Sequence, residues 1–280
     1  MSGAALFDRA WAAGPPCRVT FLGTGTSHGV PMVGCSCATC RSSDPRDQRW
    51  RPSVLVEVAD GPRILIDTST DLRAQALRFG VTRVDAILYT HAHADHVLGL
   101  DDVRAFNVAQ RRPIACFADA GTVADIRRMF AYAFAPPSPV GGGVPQLAMF
   151  PVVGPFSIDP VTIVPVPILH GPRLILGYRI GRFAYLTDCS EIPERSLPLL
   201  EDLDVLVLSA LRDRPHSTHF SVGQALAAAA RIAPRRTLFT HMCHLLPHAA
   251  TCDRLPEGVD LAHDGLVLDL DRADRESGRG

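Results

Sequence analysis

The sequence predicts a mixed α/β protein in which helices cover one or two β-sheets. Two observations predict it: short β-branched or apolar runs recur along most of the chain, and segments of helical period enter between them only after the first few runs. The early strand candidates are Arg18 to Gly23, Val54 to Val58, Arg63 to Ile66, Asp85 to Tyr89 and Ile114 to Phe117. Val161 to Val166, Leu174 to Ile180, Phe183 to Leu186, Val205 to Ser209 and Thr237 to Phe239 follow. Helical period and length point to Asp71 to Phe79, Asp101 to Ala109, Thr122 to Phe134 and Val222 to Ile232. The last of these opens with Ser221 and Gln224 spaced as a capping box and stops before Pro234. Residues 1–16 are small and Pro-containing and are expected to form a loose tail; a single domain is expected over 17–272 and a short tail over 273–280. The Pro- and Gly-rich stretch 136–145 is expected to be a mobile loop, in the position of a lid. Gly23, Gly25 and Gly29 follow the first strand, but their spacing is not G-x-G-x-x-G and Pro31 interrupts the helix that a dinucleotide fold would need.

Charge and composition remove several classes of function. The chain has 280 residues, and its 28 basic side chains against 29 acidic ones leave a net charge of −1, so no global basic field holds nucleic acid or an anionic membrane. Every basic residue is Arg, which excludes a Schiff-base lysine, a P-loop lysine and a Ser/Lys dyad. No apolar run approaches the ~18 residues of a membrane span. The N-terminus lacks a basic region followed by an apolar one, so a cytoplasmic location is expected. Cys35, Cys37 and Cys40 are too crowded for separate bridges and have the spacing of metal thiolates.

The segment that decides the chemistry is His91-Ala-His93-Ala-Asp95-His96, placed directly after the strand that ends near Tyr89. Imidazoles at alternate positions converge on one ion, while the following Asp and His turn toward a second. The motif resembles that of the metallo-β-lactamase superfamily, and further positions extend the resemblance: Asp67 in Ile-Leu-Ile-Asp, His170 in Ile-Leu-His-Gly, Asp188 in Tyr-Leu-Thr-Asp and His241 in Phe-Thr-His. It implies an αββα sandwich of two mixed β-sheets with the site along one edge. It also implies that His91, His93 and His170 bind one divalent ion (Zn or Mn) and Asp95, His96 and His241 a second, with Asp188 bridging. The ions would hold and position the attacking hydroxide, which Asp95 also orients.

The Cys-rich loop narrows the resemblance. Three thiolates need a fourth ligand to close a tetrahedral zinc site; His244 is the candidate, Cys243 is an alternative, and a redox pair also remains open. The whole pattern is similar to the phosphoribosyl cyclic phosphodiesterase subgroup, over roughly residues 18 to 270. That resemblance implies a structural zinc on Cys35, Cys37, Cys40 and His244, and a non-ligand His219 that contacts the scissile phosphate. Phe220 and Ser221 depart from the pattern after His219. Arg104 and Asn107 lie on the helix after the metal motif and are read as a solvated face. His28, His216, His248 and His263 are read as surface or hydrogen-bonded residues. The expected function is therefore that of a hydrolase acting on a small, plausibly cyclic, phosphodiester. The alternatives are a thioester or lactam hydrolase on the same scaffold and a non-hydrolytic cofactor-biosynthesis relative. A nucleic-acid substrate is disfavoured because no Arg-rich arm is visible; a homodimer is compatible with the sequence.

Overall fold

The computed structural model describes residues 15–136 and 143–270. The tails expected at 1–16 and 273–280 and the loop at 136–145 therefore fall wholly or largely outside the described residues. One seven-stranded sheet contains β1 (Cys17–Gly23), β2 (Ser53–Val58), β3 (Arg63–Ile66), β4 (Ala86–Leu88), β5 (Ile114–Ala118) and β6 (Leu147–Pro151), closed at its edge by the final strand β14 (Val267–Leu270) in the order β14-β1-β2-β3-β4-β5-β6. The second contains β7 (Phe156–Ile158), β8 (Val161–His170), β9 (Arg173–Ile180), β10 (Phe183–Leu186), β11 (Val205–Ser209), β12 (Arg236–Thr240) and β13 (Val259–Leu261), in the order β13-β12-β11-β10-β9-β8-β7. Both are mixed: antiparallel meanders pass into parallel pairs where helices supply the crossovers.

The core has three layers of contact. Val19, Phe21, Val56 and Ile64 of the first sheet meet Tyr178, Phe183 and Val207 of the second with essentially no exposure. On the outer face of the first sheet, Leu65 and Ile87 pack beneath the helices α1 (Leu72–Phe79), α3 (Arg104–Gln110) and α4 (Ala120–Met129), through Leu72, Phe106 and Ile126. On the outer face of the second, Leu206 and Leu208 pack beneath Val222 and Ala225 of the helix Val222–Ile232. This is the helix–sheet–sheet–helix layering that the resemblance implied.

Four strands escaped the sequence reading: Leu147–Pro151, Phe156–Ile158, Val259–Leu261 and Val267–Leu270. All four are edge strands; three of them are only three or four residues long and carry polar residues, and Leu147–Pro151 is apolar but ends in a proline. The expected strand Val161 to Val166 runs on to His170 through Pro165 and Pro167. Strand β7 covers only Val161 to Ile163, so the missing N–H groups of both prolines fall on an open edge. The expected helix Thr122 to Phe134 is two helices, α4 and α5 (Ala131–Phe134), broken at Phe130. The expected helix from Asp101 starts only at Arg104, after the 3₁₀ turns Leu98–Val103. The capping box at Ser221 and Gln224 forms as read.

Candidate metal centre

The site grows out of strand ends. Asp67 follows β3, the His91 segment follows β4, His170 is the last residue of β8, Asp188 lies two residues past β10, and His241 follows β12. Parallel strands bring these exits to one edge of the sandwich. The one-turn helix α2 (Ala94–Val97) turns Asp95 and His96 back over that edge, and its His96 carbonyl is held by the Thr68 N–H at 2.9 Å. Asp67, Asp188 and His241 have left-handed φ angles of +63°, +54° and +57°. Such conformations cost on the order of 1–3 kcal/mol each in non-glycine residues, and here they turn three functional side chains off their strands toward a common point. Gly23, at the exit of β1, is required by close approach: a Cβ there would run into the Arg51 carbonyl.

Two sets of donors converge. The nitrogens of His91, His93 and His170 lie within 4.8 Å of one another, as do the donor atoms of Asp95, His96 and His241. Asp188 faces both: its Oδ2 lies 3.0 Å from His96 Nε2, and its Oδ1 lies 3.2 Å from His241 Nε2 and 4.0 Å from His170 Nε2. His219 Nδ1 is 3.5 Å from the same Oδ1. All are buried or nearly so except His93, which is open to solvent.

The residues around these donors fix their orientation. His96 Nδ1 is 2.7 Å from Asp67 Oδ2, which leaves Nε2 facing the centre. Asp67 is itself held by the Thr90 N–H and hydroxyl, both at 2.8 Å. His170 Nδ1 donates to the Thr218 carbonyl at 2.7 Å. Among the described residues, His91 Nε2 is buried without a hydrogen-bond partner, an arrangement that fits a divalent cation better than an empty polar core. The electrostatics agree. Burial and the neighbouring His96 push His91 well below the usual imidazole range, so it is a neutral, ligand-ready base. His96 is opposed by burial, yet Asp95, Asp188 and Asp67 together raise it well above that range. Burial also opposes the charge on Asp188, but His241 and His96 hold it well below the usual carboxylate range. Burial and His241 press His219 down to about 3, which favours its neutral imidazole form.

A second cluster stands apart from this one. His244 Nδ1 lies 3.1, 3.4 and 3.6 Å from the Sγ atoms of Cys35, Cys37 and Cys40. Cys243 is not in the cluster; its sulfur accepts the Leu245 N–H at 3.4 Å. The Cys40 N–H and His244 lower the Cys37 thiol to about 6, whereas burial raises Cys40 to about 11. Adjacent thiolates repel one another, and a cation would remove that conflict. Arg49 joins the two clusters: its fully buried guanidinium donates to the carbonyls of Cys243 and Leu246, at 3.1 and 2.6 Å, on the segment that runs on from His241. Nothing in the sequence distinguishes Arg49 from the other arginines. Asn107 is buried and clamps α3 to the residue before β6 by accepting the Gln146 N–H at 2.8 Å and donating to the Gln146 carbonyl at 3.0 Å. The reading of it as solvated was wrong. Arg104 is exposed and pairs with Asp101 at 3.4 Å, as a solvated face implies. His216, read as a surface residue, is half-buried 5.1 Å from the His219 ring, its Nδ1 accepting the Thr218 N–H.

Two stacked mixed sheets with this site at one edge define a metallo-β-lactamase-fold protein. The chain belongs to the β-lactamase superfamily: its residues 62–242 match the β-lactamase superfamily domain. It is 44% identical to a solved diphosphatase of the PhnP family, with a TM-score of 0.85 over 91% of this chain and 97% of that one. It is also 39% identical over 259 residues to an octanoyltransferase of Porphyromonas gingivalis, covering 91% of this chain but only 52% of that protein, so it spans about half of that relative's length. Coenzyme PQQ synthesis protein B of Methylobacterium nodulans is 27% identical over 90% of this chain and all of its own. Among the described residues no helix is long and apolar enough to cross a membrane.

Proposed function

We propose that the chain is a metal-dependent hydrolase of a small phosphodiester. In this reading His91, His93 and His170 hold one divalent ion (Zn or Mn), Asp95, His96 and His241 hold another, and Asp188 is shared. A structural zinc sits on Cys35, Cys37, Cys40 and His244, and residues 17–272 act as one unit. The observation that carries the reading is Asp188, whose Oδ1 lies between His241 of one donor set and His170 of the other while its Oδ2 faces His96, with His219 against the same Oδ1. When bound, a pair of divalent ions supplies an activated water near neutral pH and neutralises charge on a transferring phosphoryl group. The chain's own residues orient this chemistry. Asp67 and the Thr218 carbonyl lock His96 and His170 with Nε2 inward, and Asp95 presents a carboxylate 3.4 Å from His241 Nε2. His219 lines a cavity of about 310 Å³ beside the centre, and a neutral imidazole there donates an N–H to a phosphate oxygen. The similarity to a diphosphatase over nearly the whole of both chains supports phosphorus–oxygen cleavage.

The direct test assays one preparation, loaded separately with Zn and with Mn, on a phosphodiester, a phosphomonoester, a thioester and a β-lactam. A diester is expected to turn over fastest, because the extra charge of a monoester competes for the same cationic centre. A thioester cleaved about tenfold faster than every diester would overturn the reading, and no turnover of any class would favour a non-hydrolytic relative. His219→Ala is expected to keep its metal content and lose about 10²–10³ in kcat/KM, the range for removing one preorganised donor. Because the imidazole is neutral, the loss should be the same for alkoxide and nitrophenolate leaving groups; a much smaller loss with nitrophenolate would instead identify His219 as the proton donor.

A further inference from the structure

A cavity of about 430 Å³ lies outside the metal centre, between the loop after β1, the residues before β2 and the end of α1. Its size falls in the range of about 300–1,000 Å³ typical of small-molecule sites. Most of the charge in its wall is already spent. Arg51 is committed to Asp71 at 3.0 Å. Asp264 accepts the Thr24 N–H and hydroxyl on one oxygen and the Trp50 N–H on the other, at 2.7–2.9 Å. Arg49 points away, to Asp47 and to backbone carbonyls. Two groups are left. Arg78 is exposed and, among the described residues, has no carboxylate within ion-pair distance; its guanidinium instead sits 5.4 Å from the Trp50 ring centroid and 5.8 Å from that of Phe79. His28, also exposed, lines both this cavity and the one beside the metal centre. Phe79 meets Trp50 edge to face at 6.0 Å and 77°, which steadies the indole.

A cavity with an uncompensated guanidinium over an aromatic platform recognises a flat ring that carries negative charge: the ring stacks and the guanidinium pairs the anion. We infer that this cavity binds a planar aromatic ring bearing an anionic group, of about the size of a nucleoside monophosphate, with Trp50 as the stacking surface and Arg78 as the counter-charge. The inference does not depend on which bond the metal centre cleaves.

The sequence contains only two tryptophans, so Trp11→Phe leaves Trp50 as the sole indole reporter in the full, metal-loaded chain. Titration of that protein with adenosine 5′-monophosphate is expected to quench Trp50 fluorescence saturably. Adenosine alone and inorganic phosphate alone should bind at least about tenfold more weakly, because each supplies only half of the contact. Adding Arg78→Ala, an exposed change remote from the metal centre, should weaken the nucleotide at least about tenfold while leaving hydrolytic activity intact. Absence of saturable quenching, an unchanged half-saturation in the Arg78→Ala protein, or adenosine or phosphate binding as well as the nucleotide would each overturn the assignment.

Discussion

Asp188→Ala is expected to strip metal from both halves of the centre and to lower kcat/KM by at least about 10³-fold, a loss of more than ~4 kcal/mol of transition-state stabilisation. The size of the effect follows from position. Asp188 is the carboxylate that faces His96, His241, His170 and His219 together, at 3.0 to 4.0 Å. Removing it leaves buried imidazoles without the counter-charge that holds both sets of donors in one place. Asp188→Asn keeps the shape but not the charge and should lose metal as well. Asp67→Asn disturbs only the orientation of His96 and should cost a smaller ~10–100-fold in affinity or activity. Metal content by elemental analysis and kcat/KM on a diester, measured on the same samples, check the ordering. An Asp188→Ala protein that keeps two catalytic metals would remove that residue from the shared position.

Cys37→Ser should lose one zinc per chain and lower the melting temperature by about 10 °C or more. Closed zinc sites contribute on the order of 10 kcal/mol to folding, and even a third of that is worth ~2–4 °C per kcal/mol in a protein of this size. Cys37 is the informative member because its thiol is already lowered to about 6 by the Cys40 N–H and His244, whereas burial raises that of Cys40. The damage should spread to the catalytic side, since Arg49 fastens the carbonyls of Cys243 and Leu246 on the segment that carries His244. Calorimetry with zinc analysis decides it: full zinc content and an unchanged melting temperature in Cys37→Ser would sink the structural-site assignment. Cys243→Ser should be silent in both measurements, because its sulfur lies outside the cluster.

The parts of the molecule legible in the sequence share one property: their signal is local. A buried strand such as Phe183–Leu186 is a continuous apolar run, a cap such as Ser221 with Gln224 is a spacing of three, and His91 to His96 is a six-residue pattern. Asp67, His170, Asp188 and His241 were legible for a different reason, that each follows a recognisable strand in a register resembling a known family. What stayed hidden depends on long-range packing. Arg49 works through carbonyls nearly 200 positions away, and Asn107 through Gln146, 39 positions on and beyond β5, α4 and α5. The edge strand Val267–Leu270 exists because Cys17 to Thr20 offers it a partner. The neutrality of His219 is set by burial and by His241, neither of which a motif records.

Each donor set draws on both sheets. His91 and His93 leave β4 of the first sheet and meet His170 from β8 of the second; Asp95 and His96 leave the first and meet His241 from β12 of the second. Ions held in this way would act as rivets across the seam of the sandwich, beside the short bridge in which the Thr26 N–H donates to the Met242 carbonyl and the Met242 N–H to the Thr24 carbonyl. Binding energy spent there would be available to hold the layers in register, so that free metal concentration would set mechanical cohesion as well as activity. A chelator would then act first as a wedge, parting the edge that carries the chemistry while the apolar interior between Phe21 and Phe183 keeps the layers together.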